Sequence, residues 1–532
     1  MRITNPILPG FHPDPSICMA NGEYFIANST FEWYPGVELS RSKDLVHWTS
    51  VPSPLSEKRL LDMLGEKFSC GIWAPCLSYS DGLFYLVYTN VRNWDFGTAK
   101  DTPNFLTTAP SIEGPWSDPV FLNASGFDDS MFHDDDGKHW FLNMEWDYRK
   151  QGPYQFSGIL LQQYDPQKKC LVGKRTKIFK GSDIGMVEGP HLYKHNGYYY
   201  VIAAEGGTSY EHAISCGRSK NIEGPYELHP CNPLISSYGH SELVLQKAGH
   251  GMMCPSIDGK KTYLTFLCGR PVDTSLQCIL GRETGLAEIQ WKDDWPYVVQ
   301  EDGSLSNMPP ATVEVPDVQG DKKQSYPGQG HVHYTFNDKS FFKDFKTLRM
   351  PIDDKRFSIT ERPGFLRIRG GQSLWSFYET SVLARRQQEF DFTATTKIDF
   401  EPDYFQQMAG LVYRYDEETQ YVLQVTWDEQ KGKVLQLNTL MPGNKFEQGI
   451  TVAIPQGKSV FLRVSVERRR AVFSWSLDGE LFHQLRPVCD AGRLSDEYGG
   501  MGFTGAFVGM FCVDTEFYKK TADFEFFDYS AS

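Results

Sequence analysis

Phe11-His12-Pro13-Asp14-Pro15-Ser16-Ile17, followed by the turn pair Asn21-Gly22 and the apolar run Tyr24-Phe25-Ile26-Ala27, is the unit from which the fold can be read. Each proline locks its own φ near about −65° and pushes the preceding residue towards extended backbone, so Asp14 is held stiffly. Asn-Gly ahead of an apolar run is a type I′ hairpin signal. It returns at Asp81-Gly82, Asp136-Gly137, Asn196-Gly197 and Asp258-Gly259, ahead of LFYLVYTN, HWFLNMEW, YYYVIAAEG and TYLTFLCG. The steps between turns are 60, 55, 60 and 62 residues, room for a four-stranded sheet with its loops. Five such copies without long helical periodicity predict a five-bladed β-propeller.

Seven or eight residues before each turn stand Asp14, Trp73, Asp128, Glu188 and His250. Equivalent positions of the blades face one axis, so five residues distant in sequence become neighbours. Three of them are acids, and carboxylates gathered in a channel are costly unless they serve a purpose.

Beyond the repeats the composition changes. Residues 1–310 read as the propeller, and residues 311–328 as a linker rich in proline, glycine and charge. Residues 329–532 carry short alternating strands such as Phe392–Ile398, Gly410–Tyr415 and Phe461–Val466. Such strands without helices predict a β-sandwich, jelly-roll and concanavalin A-like. The whole chain is therefore expected to be all-β.

The net charge of −14 leaves no basic field for nucleic acid or anionic membrane. Twelve Trp, 27 Tyr and 36 Phe supply rings that stack on the apolar faces of sugars, although most must be core. Eleven scattered cysteines without a CxxC pair read as reduced thiols. With neither an apolar leader nor a membrane-length run, this points to the cytoplasm.

Two carboxyl groups flanking a glycosidic bond, with a neighbour that tunes one of them, are what sugar hydrolysis requires. Glu188 has the longest reach and apolar company, which raises its pKa and suits an acid. Asp128 would raise it further as a like charge, and Asp14 is the natural base for a water. Asp129 must point elsewhere and bond locally. The run Asp134-Asp135-Asp136 reads as a solvated turn, since the spacing of a calcium loop is missing. His250 reads as a core histidine, a substrate contact or a cation ligand, and Trp73 as a pocket wall.

At this point the residues resemble the β-xylosidases of glycoside hydrolase family 43 over both domains. The resemblance is carried by FHPDPSI, STFEWYPGVELSRSKDLVHW, GIWAPCL, GFDDSMFHDDDGK, MVEGPHLYK and GRETG. It implies an inverting enzyme that releases single xylose units from the non-reducing end of xylo-oligosaccharides. Asp14 falls on its general base, Asp128 on the acid that tunes pKa and orients substrate, and Glu188 on its general acid. Contacts to the terminal sugar fall on Phe31, Trp73, Ala74, Phe127, Thr208, His250 and Arg282, with Trp146 nearby. Phe507 looks like the aromatic that the sandwich lends to the pocket rim. Glu145, where the family's pattern has an apolar residue, is a departure that alters the leaving-group subsite.

No cofactor is required on this reading, and a divalent cation such as calcium in the channel, with His250 as its ligand, stays open. A homo-oligomer, dimer or tetramer, is expected. The alternatives are an α-L-arabinofuranosidase, with dual activity included, a retaining fructose-cleaving enzyme, and a non-catalytic carbohydrate-binding propeller, which would not need three axial acids.

Overall fold

A computed structural model describes residues 1–94, 100–317, 320–443, 445–499 and 502–531. Residues 1–315 form five antiparallel sheets of four or five strands, each with its first two strands joined by one of the five hairpin turns. The opening strands are Ser16–Ala20, Gly71–Ser80, Ser130–His133, Glu188–His195 and Gln246–Pro255. They touch in cyclic order, the fifth returning to the first, so the positions beside the acids converge. Arg2–Thr4 pairs with Thr312–Glu314 and fastens the beginning of this unit to its end. Thr312–Glu314 therefore belongs to the N-terminal unit rather than to a linker, and Ser325 is bridged to His47 of the first sheet. Val318 and Gln319 of the expected linker lie outside the described residues.

The C-terminal unit is a nine-stranded sheet facing a six-stranded one. Leu383, Leu411, Val508 and Met510 of the six-stranded sheet point into the sandwich core. Their alternates Val382, Ala384, Val412, Phe507 and Phe511 point the other way and share a second core with Phe11, Phe31, Trp33 and Trp73. Because side chains alternate across a strand, Phe507–Asp514 can be buried along its whole length between the two cores. Trp33–Tyr34 also pairs with Thr347–Leu348, so backbone bonding joins the two units. Among the described residues the single α-helix is the four-residue Asp496–Gly499. All eleven cysteines are free.

Candidate active site

A left-handed residue stands near the start of each of the five sheets, at Asp14 (φ 49°), Ala74 (37°), Asp128 (56°), Gly189 (54°) and His250 (32°), and the second and fifth opening strands hold a further one at Gly71 (89°) and Lys247 (56°). Non-glycine residues pay strain there, and such positions persist where the surroundings over-determine them. The pairing register slips between Trp73 and Cys76, between Glu188 and His191, and between Gly249 and Gly251. Irregularities of this kind re-aim side chains at the start of a strand. At Gly189 a Cβ would stand 2.9 Å from the His250 ring, so the absence of a side chain beside Glu188 makes room for the histidine.

The three acids open into one pocket of about 120 Å³. Phe31, Trp73, Phe127, Thr208, His250 and Arg282 line it with them. Ser29 donates a 2.6 Å hydrogen bond to Asp14 Oδ2 and accepts one of 2.7 Å from the Ala74 N–H. Ala74 thus serves Asp14 through its backbone. His250 Nδ1 lies 4.0 Å from Asp14 and 3.8 Å from Asp128. His191 and His212 are pushed down to about 3, by burial first and by His250 second.

Burial, and after it the Asp14 carboxylate, pushes Glu188 up to about 8, with Lys100 and Arg282 pulling back. After burial, Asp14 is the neighbour that raises Glu188 most. Asp128 is held well above the usual carboxylate range, by burial and then by the Glu188 charge, and because like charges repel mutually each of these two acids favours the proton on the other. Glu188 and Asp128 are thus a coupled pair, with Glu188 pushed high enough to carry a proton at neutral pH. Asp129 does not line the pocket. Both its oxygens are buried without a partner, and burial raises it well above the ordinary range.

Phe507 does not reach the pocket. Its ring stacks on Trp33 at 3.9 Å and meets Phe11 edge-on at 5.7 Å, fully buried between the units. The sandwich aromatic in the pocket is Phe503, stacked on Phe31 at 5.7 Å and edge-on to Trp73 at 5.0 Å. Its N–H donates to Ser69 Oγ, and the Ser69 carbonyl accepts the Trp73 indole N–H at 2.9 Å. Trp146 stands behind the wall, tilted against Phe127, while Phe156 lines the pocket. Glu145 is turned to Lys177 in a 2.5 Å ion pair and does not line the pocket.

Sequence reasoning missed Lys100, Met186, His212 and Phe503, all of which line the cavity. Met186 stands two residues before Glu188 in a quoted motif and was within reach; an isolated lysine in a polar loop gave no signal.

A cation ligand was one of three readings of His250. Its Nδ1 faces the two carboxylates, and among the described residues no three His, Cys, Asp or Glu side chains are grouped to hold a metal ion.

The sequence profile described as Glycosyl hydrolases family 43 matches residues 3–296, and that of the Beta xylosidase C-terminal Concanavalin A-like domain matches residues 333–530. A Beta-xylosidase of Bacillus subtilis (strain 168) is 45% identical over 99% of both chains. Xylosidase/arabinosidase 43B of Humicola insolens is 44% identical over 99% of this chain and 97% of its own. The crystal structure of a xylan beta-1,4-xylosidase from Bacillus halodurans superimposes with a TM-score of 0.94 at 46% identity, covering 99% of this chain and 100% of that one.

Proposed function

Since the chain belongs to glycosyl hydrolase family 43, we propose that it is an inverting, exo-acting β-xylosidase that releases xylose from the non-reducing end of β-1,4-xylo-oligosaccharides. We further propose that its five sheets are the blades of a five-bladed propeller whose axis carries the acids. The observation that carries the reading is an aromatic pocket holding three acids, one of them raised to about 8 by burial and a neighbouring carboxylate.

In this reading the terminal xylose sits against Trp73, Phe31 and Phe503, rings suited to the apolar face of a sugar. Glu188 gives its proton to the glycosidic oxygen as the bond to the anomeric carbon breaks. Asp14, oriented by Ser29, takes a proton from a water whose oxygen bonds to the opposite face of that carbon. Asp128 and His250 fix the charge around the reacting centre, and Arg282 and Thr208 offer buried polar atoms to the sugar hydroxyls. The glycosyl group passes from the glycosidic oxygen to water with two proton transfers and no change of oxidation state, so the reaction calls for no redox cofactor. The pocket's small volume accounts for removal of single units. The free thiols support a cytoplasmic, reducing home, and we carry forward a homo-oligomer, dimer or tetramer, as the working assembly.

Proton NMR of a β-xyloside digest tests the assignment. α-Xylose is expected before mutarotation, and initial β-xylose overturns inversion. A second reading, additional α-L-arabinofuranosidase activity, is favoured by the names of two relatives: the Humicola protein and a Non-reducing end alpha-L-arabinofuranosidase of Bacteroides ovatus, 33% identical over 99% of this chain and 94% of its own. Paired nitrophenyl xyloside and arabinofuranoside assays measure the balance.

A further inference from the structure

The short helix Asp496–Gly499 lies on the C-terminal unit, yet its first two residues hold the fifth sheet's share of the pocket. Asp496 Oδ2 stands 3.5 Å from Arg282 Nη2, and its other oxygen accepts the Tyr415 hydroxyl. Arg282 also donates to the Gly502 carbonyl at 3.0 Å, and its guanidinium lies 4.8 Å from the centre of the Phe503 ring. Arg282 is 3% exposed, lines the pocket, and keeps its Nε without a protein partner. Glu497 takes the ammonium of Lys247, three residues before His250, and accepts the Cys278 N–H at 3.0 Å, four residues before Arg282. Lys247 Nζ is 3.7 Å from Asp496 as well.

An arginine side chain has four rotatable bonds and settles only where its donors are matched. Here the N-terminal unit supplies the arginine and the C-terminal unit supplies the groups that orient it. We propose that Asp496 is a positioning residue that acts through Arg282, fixing the guanidinium so that its unpartnered N–H meets a sugar hydroxyl. The role rests on the reading of the pocket as a xylosidase site. Glu497 completes the clamp by tying down both strand ends from which Arg282 and His250 project. Burial raises Asp496 above the usual carboxylate range, against the pull of Arg282 and Lys247. The side chain is held in place by its contacts with Arg282, Lys247 and the Tyr415 hydroxyl.

A double-mutant cycle on a nitrophenyl β-xyloside tests this with the full chain. Asp496→Asn keeps the shape and removes the charge. It is expected to lower kcat/KM by about 10- to 100-fold, the effect of a misplaced contact, chiefly through KM. In an Arg282→Ala background the same change is expected to move kcat/KM by less than about twofold, because the residues couple. A merely structural role would lower kcat/KM equally in both backgrounds, and that result overturns the proposal, as does a fully active Asp496→Asn. If Asp496→Asn does not fold, Asp496→Glu keeps the charge on a longer arm, and its smaller loss must likewise vanish without Arg282. A wild-type protein that turns over no xyloside sinks the xylosidase reading instead. The cycle is then read as xylose binding by calorimetry, where the same loss of coupling is expected and additive effects overturn the proposal.

Discussion

Two carboxyls withdrawn from water, Glu38 and Glu188, lie 150 residues apart in sequence and end in opposite states. At the axis, Glu188 is pushed up to about 8 by burial and then by Asp14. Behind the Asp14 loop, Glu38 is more deeply buried than the half-buried Glu188, yet Arg386, Lys346 and His12 outweigh the burial and hold it well below the ordinary range. Arg386 grips Glu38 with two nitrogens and reaches the His12 ring as well. The His12 Nδ1–H donates to the Pro9 carbonyl at 3.1 Å, leaving Nε2 to accept from the arginine. Burial is common to both groups, so the neighbours decide the outcome. Surrounded by carboxyls, an acid keeps its proton for use; facing cations from the other unit, it keeps its charge as a fastening.

The contrast breaks first at Glu188. Glu188→Gln is expected to cost about 10² to 10⁴ in turnover of xylobiose, with a smaller loss on activated aryl leaving groups that need less protonation. Unchanged melting would show the fold intact, and a near-wild-type rate would remove Glu188 from the mechanism. The pH profile follows the same logic. Glu188 acts only while protonated, so kcat/KM should fall as pH rises through about 8.

At the fastening the prediction is the reverse. Arg386→Met strands a buried carboxylate and is expected to cost about 3 to 5 kcal/mol in urea unfolding, whereas Arg386→Met with Glu38→Met should recover much of it. A single variant as stable as wild type would show that the cluster contributes nothing.

The two phenylalanines sharpen the comparison. Phe507→Ala should cost about 3 to 5 kcal/mol of stability through the lost packing on Trp33. Phe503→Ala should lower kcat/KM about tenfold, the worth of an aromatic contact, with the smaller loss of melting temperature. Exchanged effects would return Phe507 to the pocket.

The smallest expected change is at Lys100, whose charge pulls Glu188 down. Lys100→Met should raise the alkaline limb of kcat/KM by under about one pH unit. A limb that stays or moves to lower pH contradicts that coupling.

How much could be read in advance depended on whether a residue's partner was local or distant. The five hairpin turns are local dipeptides, and counting back from each reached Asp14, Asp128, Glu188 and His250, because a repeat carries its register with it. Ala74 lies one position after the counted Trp73 and proves to be a left-handed residue of the second sheet. In Gly502-Phe503-Thr504-Gly505-Ala506-Phe507 the two rings differ only in which precedes the strand, and neither pattern nor spacing says which unit each will meet. Asp496 gave no signal, since two acids at the start of a short helix are ordinary there and Arg282 is distant in the chain. Lys247 was equally silent, since its partners Asp496 and Glu497 come from the other unit.

The pocket needs both Asp14 and Phe503, and about 490 residues separate them. At about 5 to 20 residues per second of synthesis, a ribosome takes roughly 25 to 100 s between delivering the first and the second. For the last 315 residues of that interval, after Glu188 is made, the nascent chain carries all three acids without the ring that completes their pocket, so hydrolytic capacity is acquired only once Phe503 has been delivered.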